Sequence, residues 1–124
     1  MGCQTREIKN AIIRAVDIGL ERGFMVAISI DLDYGGAGQG FAQNYCLYNI
    51  HKPYIGLAGH FIAKILQIAG VEMWDQLVGR SIRVDASNDT VYGIGHIIKD
   101  NWFYPNKDIA LAEIDRKGRE REEL

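Results

Sequence analysis

Helical spacing of apolar residues is unambiguous in only one segment of this chain, which limits the folds available to it. The segment runs from Leu57 to Ala69, and its large apolar residues are Phe61, Ile62, Ile65, Leu66 and Ile68. This spacing predicts an amphipathic helix with one buried face. Gly70 follows at once and is suited to end the helix in a left-handed conformation. Most of the remaining chain must therefore contribute strands and turns.

The first segment, Thr5 to Leu20, fits both helical spacing and strand alternation, so periodicity leaves its conformation open. The residues after it favour a strand. Glu21-Arg22-Gly23 is a tight-turn candidate, and Phe24 to Leu32 is rich in β-branched residues. We therefore predict a β-hairpin formed by these two segments.

The glycine-rich stretch from Gly35 to Gly40 is predicted to turn the chain, because glycine continues a strand only at an entropic cost. Phe41 to Tyr48 then offers a third strand, with alternate residues on one face. Asn49 to Gly56 contains Pro53 and is expected to be a loop.

The second half of the chain predicts another hairpin behind the helix. Trp74 to Leu77 is typical of a helical turn closed by Gly79. Ser81 to Asp85 and Val91 to Ile98 are short strand candidates, joined by the polar turn Ala86 to Asp89.

These elements predict one α+β domain over residues 1–107. Its antiparallel sheet has about five strands, with one main helix on one face and a short helical turn. Residues 108–124 carry alternating charges, which fit either a solvated helix or a frayed tail. Because the other face of the sheet is left free, we expect a homodimer.

Composition excludes several classes of protein. The 48% hydrophobic content is ordinary for a globular domain, and 14 basic against 16 acidic side chains give a net charge of −2. That balance lacks the basic footprint of a duplex nucleic-acid binder. Cys3 and Cys46 form no disulfide framework, so we expect reduced thiols and a cytoplasmic location. The sequence also shows neither a secretory signal nor an apolar run that predicts a membrane span.

The glycine-rich stretch does not match a known nucleotide-binding fingerprint. The dinucleotide motif needs a helix directly after its glycines, whereas a strand is expected here, and the Gly-Lys-Ser/Thr of a Walker loop is missing. Two interpretations remain open. The stretch is either a flexible hairpin loop or a loop whose bare backbone lets a phosphate or base approach closely.

No motif in the sequence points to catalysis. A paired-carboxylate mechanism stays open, although Asp31, Asp33, Asp85 and Asp100 are explained more simply as strand-end and turn residues. His51, His60 and His96 lack the spacing of metal ligands, and no serine or cysteine stands in a nucleophile motif. His96 is the better candidate for a polar contact with a ligand, because it precedes an aromatic cluster. We therefore expect a protein that is not an enzyme and uses no cofactor or metal.

That aromatic cluster runs from Asp100 to Asn106 and contains three successive aromatic residues. It can close the edge of the core, or it can offer a ring face to a purine while amide groups bind the base edge. Arg80, Arg83 and Lys99 stand at the ends of the second hairpin and suit a pyrophosphate.

Four segments resemble small proteins encoded by bacteriophages, the anti-Thoeris sponge proteins of the first described type. They are residues 32–41 (LDYGGAGQGF), 58–62 (AGHFI), 74–79 (WDQLVG) and 95–103 (GHIIKDNWF). The resemblance spans residues 5–105.

The resemblance implies a non-catalytic oligomer in the host cytoplasm that captures cyclic ADP-ribose signals made by bacterial TIR-domain enzymes. Such proteins form dimers, some assembled further into hexamers, with recessed pockets beside the interface, and some hold cyclic oligonucleotides at separate sites. The competing hypotheses are an inhibitor that binds a host protein through its sheet face, a virion component and a nucleotide hydrolase.

The chemistry of a nucleotide ligand then selects nine candidate ligand-binding residues. Stacking is expected from aromatic rings, phosphate contacts from cations, and further polar contacts from imidazole and amide groups. The aromatic candidates are Phe41, Trp102 and Phe103; the cations are Arg80, Arg83 and Lys99; the polar candidates are Gln39, His96 and Asn101.

Overall fold

The computed structural model describes residues 5–43 and 45–108. Within these residues, an antiparallel sheet and one main helix confirm the predicted α+β class. The strands are β1 (Glu7–Glu21), β2 (Met25–Asp33), β3 (Gly38–Phe41), β4 (Tyr48–Asn49), β5 (Lys52–Gly56), β6 (Ser81–Ala86), β7 (Val91–Gly95) and β8 (Trp102–Phe103). The helix α1 is Ala58–Ala69, and a 3-10 turn spans Trp74–Gln76. The predicted charged helix or tail lies outside the described residues after Asp108.

The strand order is β5-β4-β2-β1-β6-β7-β8, with β3 pairing beside β4 on β2. Eight strands take part where about five were expected, because two-residue strands such as β4 and β8 pair at the margins of the sheet. No helix among the described residues is long and apolar enough to span a bilayer.

The helix covers one face of the sheet, here called the core face. Phe61, Ile65 and Ile68 of α1 are buried against it, and the Phe61 ring lies edge-on at 5.0 Å from that of Phe103. As predicted, Gly70 ends the helix in the left-handed region, at φ 72°. The opposite side of the sheet, here called the open face, carries no helix among the described residues.

The first hairpin is confirmed. β1 buries Ala11 and Ile13 while Ile12 between them is exposed, which is the alternation of a half-buried strand. Arg22 and Gly23 have positive φ angles of 54° and 79°, and the turn returns the chain into β2. The pairing slips by one residue at Arg14, which is a β-bulge.

The third strand lies earlier than predicted. The chain turns within Tyr34–Ala37 and then pairs as β3, so most of the segment Phe41–Tyr48 is irregular. Glycine is required in β3, because a Cβ on Gly38 would lie 2.8 Å from the carbonyl oxygen of Leu32. The glycines of this stretch thus serve a close strand pairing as well as the turn.

The segment predicted as a loop, residues 49–56, instead forms a small hairpin of β4 and β5. The loop was predicted because Pro53 lacks the N–H group that a strand normally uses for pairing. Among the described residues, β5 has β4 as its only neighbour, and an edge strand tolerates proline because one side of it needs no donor. Cys46, expected within a strand, lies in the irregular segment before β4 and is exposed.

The second hairpin and the helical turn before it are confirmed. β7, however, ends at Gly95 and not at Ile98. The Nδ1 atom of His96 accepts the backbone N–H groups of Ile98 and Lys99, which turns the chain away from the sheet.

Candidate functional site

The aromatic cluster divides between the two faces of the sheet. Phe103 pairs with Ile94 and points into the core, where it is 1% exposed. Trp102 and Tyr104, on either side of it, lie on the open face with ring planes 24° apart and centroids separated by 6.1 Å. These two rings are here called the aromatic shelf.

The aromatic shelf rests on two glycines of β7. A Cβ on Gly95 would lie 2.6 Å from the indole ring of Trp102, and a Cβ on Gly93 would lie 2.6 Å from the phenol ring of Tyr104. Such distances are far below van der Waals contact, so any other residue would displace the ring. The alternation Gly93-Ile94-Gly95 therefore matches the alternation Trp102-Phe103-Tyr104 across the strand pair.

Arg83 of β6 links the shelf to the loop after β7. Its guanidinium carbon lies 5.0 Å from the Trp102 ring centroid, within cation–π range. Its Nε–H donates to the carbonyl oxygen of His96, and its Nη2 donates to that of Lys99, each at 2.8 Å. These bonds fix the plane of the guanidinium beside the indole, and Nη1 has no partner among the described residues.

An ion pair supports the other end of the shelf. The carboxylate of Asp85 accepts hydrogen bonds from Arg6 at 3.0 and 2.7 Å and from the Tyr104 hydroxyl at 2.8 Å. These bonds, those from Arg6 above all, hold the pKa of Asp85 below its ordinary value. Burial raises the pKa of Tyr104, and Asp85 adds to this effect. Tyr104 is thus anchored as a neutral phenol.

Five of the nine candidate residues come together at this end of the sheet: Arg83, His96, Lys99, Asn101 and Trp102. The backbone N–H of His96 donates to the carbonyl oxygen of Asn101 at 3.0 Å, which closes the loop between β7 and β8. The side chains of Lys99 and Asn101 are exposed.

The other four candidate residues lie elsewhere. Phe41 and Phe103 are 2% and 1% exposed and meet edge-to-face in the core, so neither ring is open to a ligand. The Gln39 side chain joins the hairpins, donating to the Ser87 carbonyl oxygen and accepting from the Tyr34 hydroxyl. Arg80 is exposed just before β6, where its carbonyl oxygen accepts a hydrogen bond from β1.

Sequence reasoning missed the groups that hold the shelf: Arg6, Asp85, Gly93, Gly95 and Tyr104. One signal was present, because a glycine at every second position of a strand indicates that bulky groups lie over it. The ion pair gave no signal, since Arg6 and Asp85 are 79 residues apart.

The charges around the shelf are mainly positive. Lys107 places its ammonium group 4.7 Å from the Tyr104 ring centroid, and Arg6 stands 4.1 Å from that of Tyr92. Arg83 lies beside Trp102, and the exposed Lys99 follows in the loop after β7. Two carboxylates are also near: Asp85, which is engaged by Arg6, and Asp100, which helps to raise the pKa of Tyr104. The arrangement suits a planar ligand with negative charge.

Two further features lie apart from the shelf. A groove of about 200 Å³ runs along the hairpin of β1 and β2, and it contains none of the nine candidate residues. On the core side, the imidazole of His60 in α1 is hydrogen-bonded to the carboxylate of Asp108. Among the described residues, no group of three histidine, cysteine or acidic side chains is placed to hold a metal ion.

Comparison with known proteins finds no match among protein-family models, curated proteins or solved structures. The geometry of the shelf and the charges around it therefore carry the functional conclusion.

Proposed function

We propose that this chain is a non-catalytic binding protein that captures a nucleotide on the aromatic shelf. The observation that carries the proposal is the placement of Trp102 and Tyr104 on glycine, with Arg83 fixed beside the indole. Rings held this way lose little freedom when a ligand stacks on them, so binding is preorganised.

Stacking supplies the first part of the affinity. Trp102 is partly exposed and lies on the open face, where a purine ring can reach it. Base–aromatic stacking contributes about 1–3 kcal/mol per base. Neighbouring Tyr104 extends the apolar surface and is held in position by Asp85.

Cations supply the second part. Nη1 of Arg83 and the ammonium groups of Lys99 and Lys107 are the donors for phosphate oxygens at the shelf. Charge-assisted bonds of this type are about twice as strong as neutral ones. A ring beside two phosphates matches the ADP-ribose unit, and the resemblance favours its cyclic forms.

Binding of a nucleotide without any catalysed reaction fits the role of a phage-encoded sponge that blocks Thoeris defence. The ligand is sequestered intact in the cytoplasm of the bacterial host, so the downstream effector is not triggered. This role needs slow release and no general acid or base. Cyclic oligonucleotides share the same ring and phosphate chemistry and belong in the same test.

The test is calorimetry with cyclic ADP-ribose isomers and cyclic di- and trinucleotides, followed by heat denaturation and identification of the released ligand. We expect binding of a cyclic ADP-ribose isomer and its release unchanged. A cleaved product would identify an enzyme, and absence of binding to the whole panel would refute nucleotide capture.

A charge-matched pair of variants locates the site. Lys99→Ala removes a cation beside the shelf, whereas Lys52→Ala removes one from β5, at the far end of the sheet. We expect weaker binding only for Lys99→Ala. Equal effects of the two variants would mean a nonspecific charge effect.

One observation favours a second function, inhibition of a host protein through the open face. Ile8 and Ile12 are 56% and 48% exposed there, on either side of Asn10. Exposed apolar residues grouped on one face of a sheet are typical of protein interfaces. Loss of host-protein capture in Ile8→Ser with nucleotide binding intact would support this alternative.

A further inference from the structure

One edge of β1 has no strand beside it over half of its length. β6 pairs with Glu7 to Ile12, and Ile13 exchanges backbone hydrogen bonds with Gly79 and Arg80 at 2.7 and 2.9 Å. From Ala15 to Glu21, β1 pairs with β2 alone within residues 5–43 and 45–108. The outer peptide groups of this segment form an open edge about 24 Å long.

This edge lacks two of the usual protections against pairing, proline and lysine, although Asp17 and Glu21 are charged. Residues 15–21 include neither proline nor lysine, and the bulge at Arg14 precedes them. Two large apolar side chains, Ile18 and Leu20, are 44% and 57% exposed on the core face, beyond the cover of α1. An open edge with exposed apolar side chains is a template for another strand.

We propose that two copies of this chain pair antiparallel through residues 15–21 of β1, so that one sheet continues across a two-fold axis. Ile18 lies on the axis, opposite the partner subunit's Ile18. On the core face, Val16 and Leu20 then face each other across the pair, and the apolar row is buried between the copies.

The charges of the segment select this register. Centred on Ile18, the pairing sets Asp17 opposite the glycine at position 19 and Glu21 opposite the alanine at position 15. Centring the pair on residue 17 or on residue 19 would leave every side chain on the same face of the sheet. The first register sets Asp17 opposite the partner subunit's Asp17, and the second sets Asp17 opposite the partner subunit's Glu21. Like charges directly opposite are destabilising, so both shifted registers are disfavoured.

This interface differs from a dimer formed through the open face, because it consists of backbone pairing at an edge and leaves the aromatic shelf uncovered. It is also independent of the proposed ligand. The shelf lies at the β8 end of the sheet, with β6 and β7 between it and β1.

Sedimentation analysis of the full chain tests the interface. We expect a mass of twice 13.9 kDa for the unaltered protein. Ile18→Lys sets two ammonium groups at the axis and should give monomers. Ile12→Lys is the matched control, because this isoleucine is 48% exposed but paired on both edges. An unaltered protein that is monomeric, or dimers that persist in Ile18→Lys, would overturn the proposal.

A second variant is expected to stabilise the dimer, so its test does not rely on a loss of association. Gly19→Lys sets a cation opposite Asp17 twice, and a Cβ at Gly19 meets nothing within 4 Å. The dimer should therefore be more stable, which is measured as a lower dissociation constant. Adding Asp17→Ser to the same chain should return the dissociation constant to that of the unaltered protein. A gain that survives Asp17→Ser contradicts the register.

Cross-linking decides the register directly, in a chain whose Cys3 and Cys46 are replaced by serine. Residues opposite each other have Cα atoms about 4.5–5.5 Å apart, within reach of a disulfide. Ile18→Cys should therefore cross-link on mild oxidation. Leu20→Cys should not, because the two copies of position 20 are about 13 Å apart along the strands. The reverse result would overturn the proposal.

Discussion

Gly95 lies directly opposite Trp102 in the pairing of β7 with β8, and a methyl group on this glycine would approach the indole ring to 2.6 Å. The indole can therefore occupy its position on the open face only because residue 95 is a glycine and has no Cβ. Gly93 has the same relationship to Tyr104. The two glycines therefore determine the shape of the shelf.

Gly95→Ala should displace the Trp102 ring. The added carbon overpacks the contact and should lower the free energy of unfolding by about 1–3 kcal/mol. Urea unfolding followed by tryptophan fluorescence measures both the loss and the changed environment of the indole. Gly59→Ala is the control, since a Cβ there meets nothing within 4 Å and alanine favours the helix by about 1 kcal/mol. Equal stability of Gly95→Ala and the unaltered protein would contradict the contact.

Trp102→Ala and Phe103→Ala should separate binding from folding. The first removes the stacking surface on the open face, so we expect nucleotide affinity to fall roughly 5- to 150-fold in calorimetry, with the fold retained. The second removes a ring that is 1% exposed, at a cost of about 3–5 kcal/mol in stability. A Trp102→Ala protein that binds normally would show that the ligand lies elsewhere.

The sequence allowed α1 and both hairpins with tight turns to be predicted, because spacing and local turn chemistry determine them. It misplaced β3 and missed the hairpin of β4 and β5. Gly38 is used for a close approach to β2 and not for a turn, and Pro53 is tolerated at an edge. These outcomes depend on neighbours distant in sequence.

In the candidate site, too, the features that depend on residues distant in sequence were not predicted. Trp102 and Arg83, chosen by residue type, lie together at the shelf, whereas Phe41 and Phe103, chosen in the same way, are buried in the core. Three successive aromatic residues on a strand must alternate between faces, so the middle one, Phe103, is buried when its neighbours are exposed. The ion pair of Arg6 with Asp85 depends on the pairing of β1 with β6 and left no local pattern.

Asp85→Asn should reduce stability in a pH-dependent way. The pKa of Asp85 is lowered in the folded protein, so its contribution is present above the ordinary carboxyl pKa of about 3.9 and is lost as pH falls through the folded value. We expect a loss of about 1–3 kcal/mol at pH 7 that shrinks below pH 4. Thermal unfolding across this range measures it. Asp100→Asn, with the same charge change at an exposed site, should have little effect at pH 7.

Gly70→Ala should destabilise the end of α1. Gly70 has φ 72°, a region that costs other residues about 1–2 kcal/mol. Urea unfolding should show that loss. Gly56→Ala, where a Cβ meets nothing within 4 Å and φ is not positive, should be nearly neutral. If both variants had equal stability, the cap would contribute nothing measurable.

The most direct test of nucleotide capture on the shelf uses the two tryptophans of the chain. In a titration with cyclic ADP-ribose isomers, the indole N–H resonances of Trp102 and Trp74 are followed by NMR, with Trp74 in the 3-10 turn as internal control. A ring stacked on the shelf should shift the Trp102 resonance in step with calorimetric saturation and leave that of Trp74 unchanged. Saturable binding with Trp102 unshifted, or with only Trp74 shifted, would contradict the account.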